Sequence, residues 1–111
     1  MITHVVLFRP RATLSPEQRQ TVIASLRALV ASCPEIRACR VGQRIRHGLP
    51  GYEQAMREEF EYALVLDFDN VEGLKQYLQH PRHAALGRFF TEGAAASLAY
   101  DYEMETIEES G

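Results

Sequence analysis

An α+β fold of the ferredoxin-like type is predicted for this chain: βαββαβ, an antiparallel four-stranded sheet with its helices on one face. Three observations predict it. Four short segments read as strands, two regions carry apolar residues at helical spacing, and their order is strand, helix, strand, strand, broken helix, strand.

The first strand is "ITHVVLF". Ile2, His4, Val6 and Phe8 share one face while Thr3, Val5 and Leu7 share the other, so both faces are largely apolar and the strand is expected to be covered on both sides. After a short loop, "SPEQ" supplies an N-cap serine at Ser15, a proline at the first helical position and a capping-box glutamine at Gln18. Val22, Ile23, Leu26, Leu29 and Val30 then form one apolar stripe, and Pro34 stops the helix. Ile36 to about Ile45 reads as a second strand, with Gly42 as a candidate bulge. Arg46 to Glu59 has no clean period and reads as a long surface loop.

In "FEYALVLDF", Phe60, Tyr62, Leu64, Leu66 and Phe68 alternate with Glu61, Ala63, Val65 and Asp67, which marks the third strand. Asp69 and Asn70 open a helix that places Val71, Leu74 and Leu78 on one face, with Tyr77 beside them. Pro81 ends that helix and starts another, expected to run to about Ala96. Leu98, Tyr100, Tyr102 and Met104 alternate with Ala99, Asp101, Glu103 and Glu105 in a closing strand. Residues 1–105 are thus expected to form one domain and residues 106–111 a polar tail. All helices fall on one face of the sheet, so a second copy is the simplest cover for the other: a homodimer through sheet faces is expected.

The 111 residues, 46% of them hydrophobic, suffice for one core that buries roughly two thirds of the unfolded surface. A net charge of -3 with scattered arginines gives no footprint for nucleic acid. No apolar run is long enough to span a bilayer, and Val5 to Phe8 lacks the flanks of a signal peptide, so no membrane association and a cytoplasmic location are expected. Cys33 and Cys39, six apart across a proline, read as packing residues rather than as a metal or redox pair. Asp101, Glu103, Glu105, Glu108 and Glu109 read as a solvated strand face and tail.

"ITHVVLF", "VLDFDNVEGLKQYLQHPRH" from Val65 to His83, and the closing alternating strand together resemble the stress-responsive dimeric α/β-barrel (Dabb) domain family, over about Met1 to Glu105. Their most specific element is "YLQHPRH". The resemblance implies two ferredoxin-like units paired sheet to sheet into a barrel by homodimerisation. Most members have no assigned reaction. In the plant olivetolic acid cyclase, a polyketide cyclase, a histidine acts as acid/base with a tyrosine assisting, and the motif carries these roles onto His83 and Tyr77. His80 matches the first motif histidine and His4 a histidine of the family's first strand, and both stand as candidate substrate contacts. The cyclase's pocket-shaping residues are not recognisable in this chain.

The chemistry of the residues supports the same pair. An imidazole can take a carbon acid's proton near neutral pH while a phenol stays protonated and donates to the developing enolate oxygen. On one continuous helix Tyr77 and His83 would lie about 240° apart, so the break at Pro81 is needed for them to converge. Structural readings stand beside the functional ones: His80 tying down the terminal carbonyls of its helix, Tyr77 as an amphipathic core residue, His4 as a buried histidine satisfied by a hydrogen bond. His80 and His83, with His4 or His47, have no acidic partner at ligand spacing, so neither a metal nor any other cofactor is expected.

The expected function is therefore binding of a small, largely apolar, oxygen-bearing molecule between sheet and helices, with cyclase- or isomerase-like acid–base chemistry if the protein is an enzyme. The alternatives are a non-catalytic, stress-associated homo-oligomer and a cofactor-free monooxygenase on the same fold, against which "HPRH" argues.

Overall fold

The structure, a computed structural model, describes residues 1–108; residues 109–111, which include Glu109 and the end of the expected tail, lie outside the described residues. Strand β1 (Ile2–Pro10) leads to helix α1 (Pro16–Ser32), β2 (Ile36–Gln43), a 3-10 turn at Glu53–Ala55, β3 (Tyr62–Phe68), α2 (Val71–Leu78), α3 (Pro81–Glu92) and β4 (Ala94–Glu103). The sheet order is β2-β3-β1-β4 and every neighbouring pair is antiparallel. This is the ferredoxin-like arrangement that the order of periodic segments predicts.

Local signals set most boundaries. Ser15 and Gln18 form the reciprocal capping box, with Gln18 N donating to Ser15 Oγ at 3.1 Å and Ser15 N to Gln18 Oε1 at 2.8 Å. Asn70 caps α2 by accepting from Gly73 N at 2.9 Å. Along β1, Ile2, His4, Val6 and Phe8 are buried under the helices, and their cross-strand partners Phe68, Leu66, Leu64 and Tyr62 on β3 are buried with them. Leu26 and Leu29 of α1, Leu74 and Tyr77 of α2, and Leu86 and Phe90 of α3 close this core. Fully burying a side chain such as Leu64, Leu66 or Phe68 contributes roughly 1.5–3 kcal/mol each.

Four expectations are corrected. Helix α3 ends at Glu92 rather than near Ala96, because Gly93 closes it with its N–H on Phe89 O at 3.0 Å and Ala94 already pairs with Pro10 in the sheet. Strand β4 accordingly begins at Ala94 and ends at Glu103. Gly42 is not a bulge; it pairs regularly with Ala63, and the register shift falls between Ile36 and Ala38, where the Arg37 guanidinium turns aside to Asp69 at 2.6 Å. In α2 the buried residues are Leu74 and Tyr77, while Val71 and Leu78 are partly exposed, because the helix lies with its tyrosine edge against β1 and β3. In α1 the stripe narrows to Leu26 and Leu29 at its centre, leaving Val30 at its exposed margin.

The sheet's second face carries Thr3, Val5 and Leu7, level with Asp67, Val65 and Ala63 on β3 and with Tyr102, Tyr100 and Leu98 on β4. No described element of the chain covers it, and Leu98, Tyr100 and Tyr102 are 41%, 56% and 51% exposed. No helix among the described residues is long and apolar enough to cross a membrane.

Gly93 gives a direct test of the α3–β4 boundary. A Cβ at this position would stand 2.8 Å from Phe89 O, closer than real contacts allow. Gly93→Ala is expected to lower stability by roughly 1–3 kcal/mol in urea unfolding, as overpacking does; an unchanged midpoint would contradict the placement of this helix end.

Candidate functional site

Tyr77 occupies the last turn of α2 and His83 the first turn of α3, with five residues between them. The turn joining them is tight. His80 N donates to Tyr77 O at 3.0 Å, His83 N donates to His80 O at 3.0 Å, and Pro81 takes the first helical position, where no N–H is needed. His80 is the N-cap of α3: its Nδ1 accepts from Arg82 N at 3.1 Å. The ring thus satisfies a donor at the start of the second helix rather than carbonyls at the end of the first, a correction to the structural role expected for it.

This turn swings Tyr77 and His83 onto one another. Their ring centroids are 4.7 Å apart in a T-shaped contact. His4, from the centre of β1, also meets the Tyr77 ring edge to face, at 5.6 Å. Phe68 packs against the phenol ring at 5.4 Å. Tyr77 itself is buried, only 1% exposed. A cavity of about 250 Å³ opens beside the three rings, lined by His4, Tyr77 and His83, by Gly87 and Phe90 of α3, and by Ser97 of β4. Three of the four predicted site residues therefore meet at one cavity. The fourth, His80, does not line it, and His47 stands apart in the β2–β3 loop, its ring 4.3 Å from that of Tyr52.

Asp101 is a member of this site that sequence reasoning missed. It sits directly opposite His4 in the β1–β4 register, and its carboxylate meets His4 Nδ1 at 2.5 Å. A carboxylate can only accept in this contact, so His4 donates to it through Nδ1–H. The signal for this pair was in the alternation of β4. Leu98, Tyr100 and Tyr102 take the uncovered face, so Asp101 must take the helix face, the one that holds His4.

The electrostatics separate the roles of the rings. Burial lowers the pKa of His83, the neighbouring His4 adds to the shift, and the Leu78 backbone partly opposes it, so the imidazole is neutral near pH 7. Burial raises the Tyr77 phenol well above its ordinary range, with the charges of Cys39, Cys33 and Asp101 adding to the effect. The site thus pairs a neutral base with a phenol that holds its proton, the combination that general acid–base chemistry requires. Burial likewise raises the pKa of the free thiols of Cys33 and Cys39, the former also bonded to Glu35, consistent with their packing role. No group of three or more His, Cys, Asp or Glu side chains among the described residues is placed to hold a metal ion.

A family model described as Stress responsive A/B Barrel Domain (Dabb) matches residues 2–104. Among solved structures, a dimeric protein of unknown function with a ferredoxin-like fold from Bacteroides fragilis is 31% identical, with 93% of this chain and 95% of that one covered and a TM-score of 0.65. A protein of Arabidopsis thaliana aligns over 98% of this chain and 100% of its own at 20% identity and a TM-score of 0.78. The hydroxynitrile lyase of Passiflora edulis aligns over 96% of both chains at 19% identity and a TM-score of 0.77. At these last two identities the likeness is one of fold. No curated protein matches the sequence.

The lowered His83 pKa makes a pH prediction. Between the folded pKa and the unfolded value of about 6.5, the unfolded chain binds more protons than the folded one, so the stability this group contributes is fully present above that window and is lost as pH falls through it. Urea midpoints are expected to climb from about pH 5 to pH 7, and His83→Gln should flatten the climb. An equal slope in both proteins would place the proton-linked group elsewhere.

Proposed function

The chain belongs to the stress-responsive A/B barrel (Dabb) family, and from that premise we propose that it is a homodimer that binds a small, largely apolar, oxygen-bearing molecule in the cavity between sheet and helices and moves a proton on it with His83 and Tyr77. The observation that carries this reading is the contact of a neutral, half-buried imidazole with a buried phenol at the wall of one cavity.

In the proposed step, His83 takes a proton from a carbon next to the ligand's carbonyl group. The electron pair left on that carbon moves into the carbonyl, and the resulting enolate oxygen accepts a hydrogen bond from the Tyr77 hydroxyl. Where a C=C bond is conjugated with the enolate, returning the proton from His83 to the far carbon completes an isomerisation; alternatively, attack of the enolate carbon on a second carbonyl of the same molecule closes a ring, and the alkoxide so formed takes the proton back from the His83 imidazolium. His4, held by Asp101, is the residue placed to orient the oxygen-bearing end of the ligand. His80 keeps the turn closed between the two acting residues. The occurrence of a hydroxynitrile lyase on the same fold favours an enzyme over a non-catalytic oligomer.

The homodimer rests on the uncovered sheet face, where Val5, Leu7 and Val65 lie between Leu98, Tyr100 and Tyr102 on β4 and the β2 edge. The similar protein from Bacteroides fragilis is described as dimeric. Val65→Glu places a carboxylate at the centre of that face and is expected to convert a species of twice the chain mass into one of single mass in light scattering, with the folded far-UV spectrum retained. A wild-type chain of single mass at micromolar concentration would remove the dimer from this reading.

The catalytic part is tested with phenylacetone in D₂O, following deuterium uptake beside the carbonyl by proton NMR. Wild type should exceed the buffer rate, His83→Gln should lose on the order of 10²-fold, and Tyr77→Phe should lose less while staying folded. Exchange at the buffer rate in wild type, with the ketone bound, would favour the non-catalytic alternative. Oxygen uptake with a quinol would favour the monooxygenase-like one.

A further inference from the structure

Helix α3 contains a glycine that the fold itself does not require. Gly87 lies mid-helix with a φ outside the left-handed region, so its backbone asks for no special residue. Beyond its chain neighbours and the backbone of its own helix, a Cβ added there meets no atom within 4 Å. Two other glycines near the same layer differ. At Gly73 in α2 a Cβ would stand 3.4 Å from Glu35 Cβ, and at Gly93 it would stand 2.8 Å from Phe89 O. Glycine inside a helix is less stable than alanine, because it loses more backbone freedom on folding. Neither packing nor backbone geometry offsets that loss at position 87, so the explanation lies in the space that the missing side chain leaves.

That space is the cavity. His83, Gly87 and Thr91 follow one another at a spacing of four on the same side of α3, and all three line it. A helical Cβ tilts toward the N-terminus, so a side chain at 87 would grow into the cavity toward the His83 ring. The wall around it is apolar. Thr91 Oγ1 donates back to Gly87 O at 3.0 Å and is occupied there, and Phe90 and Leu78 complete the surface.

We propose that Gly87 is the specificity-determining position of this cavity: its missing side chain reserves room beside His83 for an apolar substituent of the ligand, and the size of the residue at 87 sets the size of the molecule admitted. This rests on the reading of the cavity as a binding site. It adds that the ligand places its oxygen-bearing end among the rings and an apolar arm along α3.

The test uses phenol and 4-butylphenol as small and large probes, titrated into wild type, Gly87→Ala and Gly87→Leu, with the His83 imidazole C2–H NMR signal as the binding readout and thermal melts alongside. Wild type should bind both, 4-butylphenol more tightly. Gly87→Leu should weaken 4-butylphenol by at least about tenfold, while Gly87→Ala keeps phenol within about twofold, weakens 4-butylphenol in part and raises Tm by a few degrees. If leucine impairs folding, the alanine variant carries the comparison. Unchanged binding of 4-butylphenol in the folded variants, or a lower Tm for Gly87→Ala, overturns the assignment of Gly87 and leaves the binding reading standing. If neither phenol moves the His83 signal of wild type, the binding reading fails, and this inference with it.

Discussion

The central place of β1 in the sheet, with a strand paired along each of its edges, is the constraint on which the rest of the structure depends. It is hydrogen-bonded along both edges, to β3 and to β4, and so carries the register of the sheet's inner pairs. On its helix face, Phe8 stacks with Tyr62 at 5.1 Å and meets Phe90 edge to face at 4.7 Å, which seats α3. Two residues from Val6 on the same face, His4 meets Tyr77, which seats α2. The positions of the two helical segments that hold Tyr77 and His83 are thus referred to one strand. A polar residue in place of Val6 would disturb the core and the site together, since Val6 lines both.

Much of this was legible in the sequence because the signals were local. The capping box at Ser15, the proline at 81 and the alternation in β3 each act over four to seven residues and need no partner to be read. What was missed depends on contacts between distant segments. The run Ala94–Ala96 favours a helix by propensity, and only its pairing with β1 draws it into the sheet. Asp101 reads as one acid among several until the β1–β4 register puts it opposite His4, 97 positions away in the chain. His80 was expected to serve the helix before it and instead caps the helix after it, a choice settled by a ring orientation that spacing does not specify. The convergence of Tyr77 with His83 was readable as a need for a break; its distance was not.

The site combines two opposite uses of burial. Taking His83 out of water favours its neutral form, which frees a lone pair, whereas taking Tyr77 out of water favours the protonated phenol, which secures a donor. One largely apolar wall therefore prepares both partners without a fixed charge between them. The carboxylate nearby, Asp101, is engaged with His4.

The turn at 79–82 also bears on which changes of chain length this protein can absorb. Tyr77 and His83 are separated by five residues, most of them held by short hydrogen bonds, so one residue gained or lost between them would turn His83 by about 100° around α3 and carry it off the wall it shares with Tyr77. The β2–β3 connection has no such coupling to the site: His47, Leu49 and Tyr52 contact one another or solvent. Drift in length among related chains should accumulate in that loop, while the histidine turn keeps a fixed count and so remains alignable when the surrounding identity has faded.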